Sequence, residues 1–201
     1  MRGKLVVIEG IDGAGGETQS KLLLEHLRSR KIPSERIYYP EYGNPIGDFI
    51  HDYLHKKHEL PVDMQFLLYA TDMVKDREKI LNWLAQGKTV IADRYFTSVL
   101  AYQCMRRFPL ENALKFADIF SLPKPDIIVF LKISPATSIK RKKGEKEHLD
   151  RNEADKAMHR KVSESYESLA KNNVFGSWFV LDGEKSKEEV FSQIRKVLRL
   201  D

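Results

Sequence analysis

The stretch Lys4-Leu-Val-Val-Ile-Glu9-Gly10-Ile11-Asp12-Gly13-Ala14-Gly15-Gly16-Glu17-Thr18 decides the fold. Lys4 to Glu9 is a short apolar run rich in β-branched residues and bounded by glycine, so it reads as a buried strand. A Gly-rich turn follows, then a helical pattern to about Arg30. Strand, glycine turn, helix is the layout of a phosphate-binding loop. Glycines let successive backbone N–H groups turn inward on one anion. The helix brings the positive end of its dipole to the same place. Gly10, Gly13 and Gly15 stand at the usual positions. Gly16 stands where the pattern G-x-x-x-x-G-K-[ST] asks for lysine, and Glu17 where it asks for the Mg²⁺-binding hydroxyl. On the glycines alone, a turn that binds nothing is the competing reading.

Outward from this stretch, apolar strand-like runs alternate with helical patterns, which argues for an α/β chain with a parallel sheet. Arg36 to Pro40, Thr89 to Asp93, Pro125 to Leu131 and Trp178 to Asp182 are the further strands. Pro61 opens a long helix with an apolar stripe at Val62, Phe66, Tyr69, Met73, Ile80 and Leu84. Gly87 ends it. Two helices run on to about Ser121, and Val190, Ile194 and Val197 form the inner face of a closing helix. Repeats and low-complexity linkers are lacking, so residues 1–201 read as one domain. One segment refuses a core role. Lys140 to Arg151 carries six Lys or Arg, three acids and one clearly apolar residue, Leu149. It reads either as a solvated loop or as a mobile lid, over about 140–153, that brings bases to phosphates.

Composition narrows the function classes. The chain has 201 residues, 42% hydrophobic content and a net charge of +5. That charge suits a polyphosphate substrate as well as it suits nucleic acid. The bases are spread along the chain without an RNA-binding or zinc-finger motif, so no nucleic-acid partner is expected. The start shows no signal-peptide pattern, and no apolar run approaches a membrane span. A single cysteine, Cys104, leaves no internal disulfide and suits a reducing cytoplasm. His51, His55 and His58 share one face of a surface helix, but Lys56 and Lys57 beside them would repel a metal ion.

Asp93-Arg94-Tyr95, then Ser98, then Ala101-Tyr102-Gln103, form a D-R-Y-x-x-S-x-x-A-Y-Q string at the end of the third strand. This string resembles the signature of the thymidylate kinase family. Glu9 to Gly13 with Thr18-Gln19 is similar to that family's phosphate loop, Tyr39-Pro40 to its Phe-Pro pair, and Leu68 to Asp72 to its Leu-Phe-Ala-x-Asp segment. Pro125-Asp126, Arg141, Asp150-Arg151 with Glu153, Tyr166 and Asp182-Gly183 continue the match in order. The resemblance implies a P-loop NTPase-like three-layer sandwich around a five-stranded parallel sheet. It also implies a homodimer and transfer of a phosphoryl group from ATP, with Mg²⁺, to dTMP in the supply of dTTP. Met73 and Val99 depart from the family's pattern, as do Glu41 and Lys132.

The physical chemistry of these positions suits phosphoryl transfer. Gly10, Ile11, Asp12, Gly13, Ala14, Gly15, Gly16, Glu17 and Thr18 would hold the donor phosphates. Asp93 ends a strand beside the loop, where a carboxylate can hold Mg²⁺; capping the next helix is its other reading. Glu17 is a second candidate metal ligand. Arg94 offers a rigid fork for a monophosphate, or else a surface ion pair. Tyr69 is a base platform or a plain core aromatic. From the resemblance, Tyr102 would lie against the deoxyribose, Gln103 at the base edge, and Asp12 and Ser98 beside the acceptor. Arg141 and Arg151 would reach the donor as lid bases, or else stay solvated. The Gly16-Glu17 pair leaves open a nucleotide-binding homologue with weak or no kinase activity. Met73 and Val99 leave open a kinase for another nucleotide acceptor.

Overall fold

The computed structural model describes residues 2–145, 151 and 156–200. In chain order the elements are β1 (Leu5–Glu9), α1 (Gly16–Ser29), β2 (Ser34–Tyr38), α2 (Pro45–Leu54), α3 (Val62–Val74), α4 (Arg77–Ala85) and β3 (Thr89–Asp93). They continue with α5 (Phe96–Met105), α6 (Leu110–Ile119), β4 (Ile127–Lys132), α7 (Pro135–Glu145), α8 (Lys156–Lys171), β5 (Trp178–Asp182) and α9 (Lys187–Leu198).

The strands form one sheet in the order β2-β3-β1-β4-β5, every pair parallel. A parallel sheet covered on both faces needs strands that are apolar throughout. β1 meets that demand, with all of its residues buried. From β1 the chain winds to one side through β2 and β3, then to the other through β4 and β5. The crevice outside the carboxyl end of β1 is therefore the switch point at which such sheets bind ligands. α1 packs on β1, β2 and β3, and α5 packs on α3 and α8. Together they carry the residues that surround that crevice.

Four local expectations needed correction. The second strand runs Ser34–Tyr38 and not Arg36 to Pro40. Its register with β3, from Ser34↔Thr89 to Tyr38↔Asp93, ends before Pro40, which has no N–H for the ladder. The long helix from Pro61 is two helices, α3 and α4, that break at Lys75-Asp76. The break lets Lys75 Nζ meet Glu41 Oε2 at 2.8 Å, Asp72 Oδ1 at 3.1 Å and Asp76 Oδ2 together. The basic segment from Lys140 begins as the last turns of α7, not as a loop, because Lys and Arg are good helix formers. Residues 146–150 and 152–155 of the expected lid, with Asp150 and Glu153, lie outside the described residues. Finally, α2 ends at Leu54, so the three histidines do not share one helical face. His51 stacks on His55, and His58 on Phe49.

Candidate active site

The loop between β1 and α1 is held from below and open above. Gly13 and Gly15 have φ of 78° and 94°, which favours glycine at both. At Gly10 a Cβ would lie 2.6 Å from that of Ala14 and 3.1 Å from Leu131 O, so the close loop-to-strand packing also demands glycine. Ala14 N–H donates to Ile11 O at 3.0 Å and closes the turn. Among the described residues no side chain caps α1, whose N-cap is Gly15. Its first N–H groups therefore await an acceptor from outside the helix. From α7, the Ser138 hydroxyl donates to Asp12 O and meets His159 Nδ1 at 2.9 Å. Arg141 donates from Nη1 to Gly13 O and from Nη2 to Gly183 O, 3.1 Å each.

A cavity of about 700 Å³ runs from this loop to the far end of α3 and α5. Arg94 stands in its wall between the two ends. It sits at φ 63°, directly after β3, a backbone conformation that costs a non-glycine residue energy. Its fork is fixed by Gly10 O at 2.9 Å and Asp12 Oδ1 at 2.6 Å, and its guanidinium lies 5.9 Å from the Tyr102 ring centroid. The far end is lined by Tyr69, Met73, Val99, Gln103 and Arg106. Gln103 is buried, and among the described residues its Oε1 has no hydrogen-bond partner. An unpaired buried acceptor beside a cavity is suited to a ligand N–H. Arg106 donates to Gln65 Oε1 and, at 3.2 Å, to Tyr53 OH.

Beneath the cavity lies a buried carboxylate. Glu9 accepts from Tyr95 N–H at 3.0 Å, Thr97 Oγ1 and Ser98 Oγ at 2.6 Å each, and Tyr166 OH at 2.7 Å. Burial pushes its carboxyl up from the ordinary glutamate value, and Arg94, Ser98, Thr97 and Tyr166 pull the other way. Ser98 thus spends its hydroxyl on Glu9 and Tyr166, although it lines the cavity. At the loop end, Asp93 Oδ2 accepts from Arg36 Nη2 at 2.8 Å, while among the described residues Asp93 Oδ1 takes no hydrogen bond. Burial raises the Asp93 carboxyl, against the pull of Arg94 and Arg36.

The structure brings most of the expected residues together. Gly10 to Thr18, Asp93, Arg94, Ser98, Tyr69, Tyr102 and Gln103 all line the one cavity. Three do not stand as expected. Arg151 is tied to the end of α2: it donates to both Glu59 oxygens at 2.8 Å, to His58 O at 3.0 Å and to Tyr53 O at 3.1 Å. That fork-to-fork pairing keeps its charge away from the loop. Arg141 reaches the loop but binds its carbonyls. Glu17 turns to Lys21 Nζ at 2.6 Å, a hydrogen bond that lowers its carboxyl, and its side chain is 69% exposed. Sequence reasoning passed over Glu9, Arg36, Gln65, Arg106 and Ser138 as members of the site. The one signal present was Glu9, a charged residue at the end of an otherwise apolar strand.

The comparisons with known proteins agree with this geometry. A family model described as thymidylate kinase matches residues 8–194. The thymidylate kinase of Carboxydothermus hydrogenoformans is 34% identical over 203 residues, covering 98% of this chain and 98% of its own. That of Homo sapiens is 31% identical over 194 residues, covering 96% of this chain and 89% of its own. A solved structure of thymidylate kinase from Candida albicans matches with a TM-score of 0.78 at 25% identity, covering 98% of this chain and 92% of that one. The chain belongs to the thymidylate kinase family.

Proposed function

We propose that this chain transfers the γ-phosphoryl group of ATP to dTMP, giving dTDP and ADP. The observation that carries this reading is a single cavity with a phosphate loop at one end, an aromatic and amide-lined end at the other, and Arg94 between them. dTMP would lie with its base against Tyr69 and its N3–H facing Gln103 Oε1. Tyr102 would lie beside the sugar. Arg94, already oriented by Asp12 and Gly10, would hold the acceptor phosphate. One acceptor phosphate oxygen then attacks the γ-phosphorus while the bond to the β-γ bridging oxygen breaks and ADP leaves with that electron pair. The loop N–H groups of Gly13 to Thr18 would hold the donor phosphates. Positioning and charge neutralisation carry most of such a reaction.

The residues present fit Mg²⁺ shared with a nucleotide. Among the described residues Asp93 Oδ1 carries no hydrogen bond beside the loop, and the exposed Thr18 hydroxyl lines the same cavity. Mg²⁺ is commonly bound through one or two carboxylates plus substrate phosphates. When bound it neutralises charge on the donor phosphates. Asp93 would hold it, directly or through water, and Glu17 is committed to Lys21. We further read residues 1–201 as one domain working as a homodimer, as the family resemblance implies. Among the described residues no helix is long and apolar enough to cross a membrane. With its single cysteine, the chain suits a reducing cytoplasm.

The test is an ADP-release assay across dTMP, dUMP, dCMP and dAMP, with calorimetry of each monophosphate in the absence of ATP. dTMP should bind best and be phosphorylated fastest. Arg94→Ala should weaken dTMP binding by about 2 kcal/mol, roughly 30-fold, the loss expected of a charge-assisted fork. If dTMP binds no better than dAMP, the acceptor assignment is wrong.

A further inference from the structure

The loop lacks a lysine at residue 16, so a cation from elsewhere must balance the donor phosphates if the chain is a kinase. Lys142 lines the cavity from the last turn of α7, and four other nearby cations are spent. Arg94 is bound to Asp12 and Gly10 on the acceptor side. Arg141 is bound to the carbonyls of Gly13 and Gly183. Lys21 is paired with Glu17 and its side chain is 57% exposed. Arg151 is held by Glu59.

Arg36 is different. It projects from the middle of β2, a strand hydrogen-bonded along its length to β3. Its side chain is only 14% exposed, and it lines the cavity together with Gly16, Glu17 and Lys21. Nε donates to Ser20 Oγ at 2.7 Å, and Nη2 to Asp93 Oδ2 at 2.8 Å. Among the described residues Nη1 has no partner. A guanidinium fixed on two sides, with its third nitrogen unpaired beside a phosphate loop, is pre-organised to donate to an anion.

Arg36 and Gly16 are also coupled through Asp93. A Cβ on residue 16 would lie 2.8 Å from Asp93 Oδ1. Asp93 is held in that position by Arg36. A side chain at residue 16 and a guanidinium at Arg36 therefore compete for the space and charge of one carboxylate. Gly16 is the small partner that lets Arg36 keep Asp93 where it is.

We propose that Arg36 replaces the missing loop lysine, donating from Nη1 to the β/γ end of the ATP triphosphate while Asp93 and Ser20 hold it in place. This rests on the kinase reading above. Arg36 is thus a catalytic residue for the donor side, as Arg94 is for the acceptor side.

The test compares Arg36→Gln, Arg36→Lys and the double variant Gly16→Lys with Arg36→Gln, using thermal unfolding to confirm that each folds. The readouts are calorimetric affinity for a non-hydrolysable Mg–ATP analogue, for AMP and for dTMP, together with kcat. Arg36→Gln should weaken the triphosphate analogue by about tenfold or more and lower kcat by about 10²-fold, the scale of losing one fixed transition-state charge. AMP and dTMP affinities should stay within about twofold, because neither reaches the β/γ position. Arg36→Lys should recover at least half of the loss on a logarithmic scale. The double variant should exceed Arg36→Gln in kcat, since freeing Asp93 makes room for lysine at residue 16. Equal loss of AMP, dTMP and triphosphate affinity in Arg36→Gln would overturn the proposal and mark a structural role. So would an Arg36→Lys variant as impaired as Arg36→Gln. Should Arg36→Gln not fold, Arg36→Lys decides alone: dTMP affinity lost as far as triphosphate affinity overturns the proposal. A wild type without phosphoryl transfer would defeat the kinase reading, while the triphosphate affinities would still decide the role of Arg36.

Discussion

Glu9 ends β1 inside the protein, 1% exposed, where a carboxylate has no water to stabilise its charge. What it has instead are donors from Tyr95, Thr97, Ser98 and Tyr166. They join β1 to α5 and α8, so one side chain fixes the floor of the cavity. Burial raises its pKa above the ordinary 4.5. The folded chain then holds this proton more tightly than the unfolded chain does. The associated stability is fully present below about pH 4.5 and is lost as pH rises through the folded-state value. Glu9→Gln does not titrate, so its melting temperature should fall below that of wild type by the largest margin in acid. The gap should narrow as pH is raised toward neutrality. Thermal melts from about pH 4 to 7 measure this; a gap that widens with pH would mean that the donors outweigh burial.

At the scale of an element, the break between α3 and α4 depends on one lysine. Asp72 is 1% exposed and Asp76 is 7% exposed, and both face Glu41. Lys75 answers all three carboxylates and also lies 5.3 Å from the Tyr39 ring centroid. Asp72 Oδ2 in turn accepts from Glu41 N–H at 3.1 Å, which anchors the segment after β2 against α3. The cluster therefore joins the donor-side strand to the helix that carries Tyr69. Lys75→Met would leave these carboxylates uncompensated. Breaking such a cluster by removing one partner should cost about 3 kcal/mol, measured by urea unfolding at neutral pH. A cost below about 1 kcal/mol would show that the cluster is solvated like a surface pair.

For the whole molecule, the sheet order decides what the loops can do together. β1 lies between β3 and β4, so Gly10–Thr18 and Asp93–Arg94 emerge side by side at one edge of the crevice. α3 and α5 pack against each other and close the far end, bringing Tyr69 and Gln103 to the same cavity. A ligand seated there touches parts of the chain from β1 to α5 and should stabilise the fold as a unit. dTMP at about 100 times its dissociation constant should add about 2.7 kcal/mol to the unfolding free energy. dAMP at the same concentration should add less, and a thermal-shift titration measures both. Equal shifts would mean that the cavity does not distinguish the bases.

What could be read in the residue order alone is what local chemistry dictates. The apolar run at Lys4 to Glu9, the glycines after it and the alternation of strand and helix patterns specify a parallel sheet and a phosphate loop without reference to any distant residue. The D-R-Y to A-Y-Q string named Asp93, Arg94, Ser98, Tyr102 and Gln103 of the cavity wall. The second strand came out two residues late, because its pairing with β3 and not its own composition sets its end. The break at Lys75 was illegible, since the apolar stripe continues across it and Glu41, one of the three carboxylates that meet Lys75, comes from a separate segment. Arg151 was misplaced because Glu59, the partner that binds it, is distant in sequence. Arg36 was missed for the same reason: nothing beside it in the chain announces Asp93 and Ser20. A partner across the fold is chosen by how strands and helices pack. Only the tertiary structure could decide which of many cations stands beside Gly16.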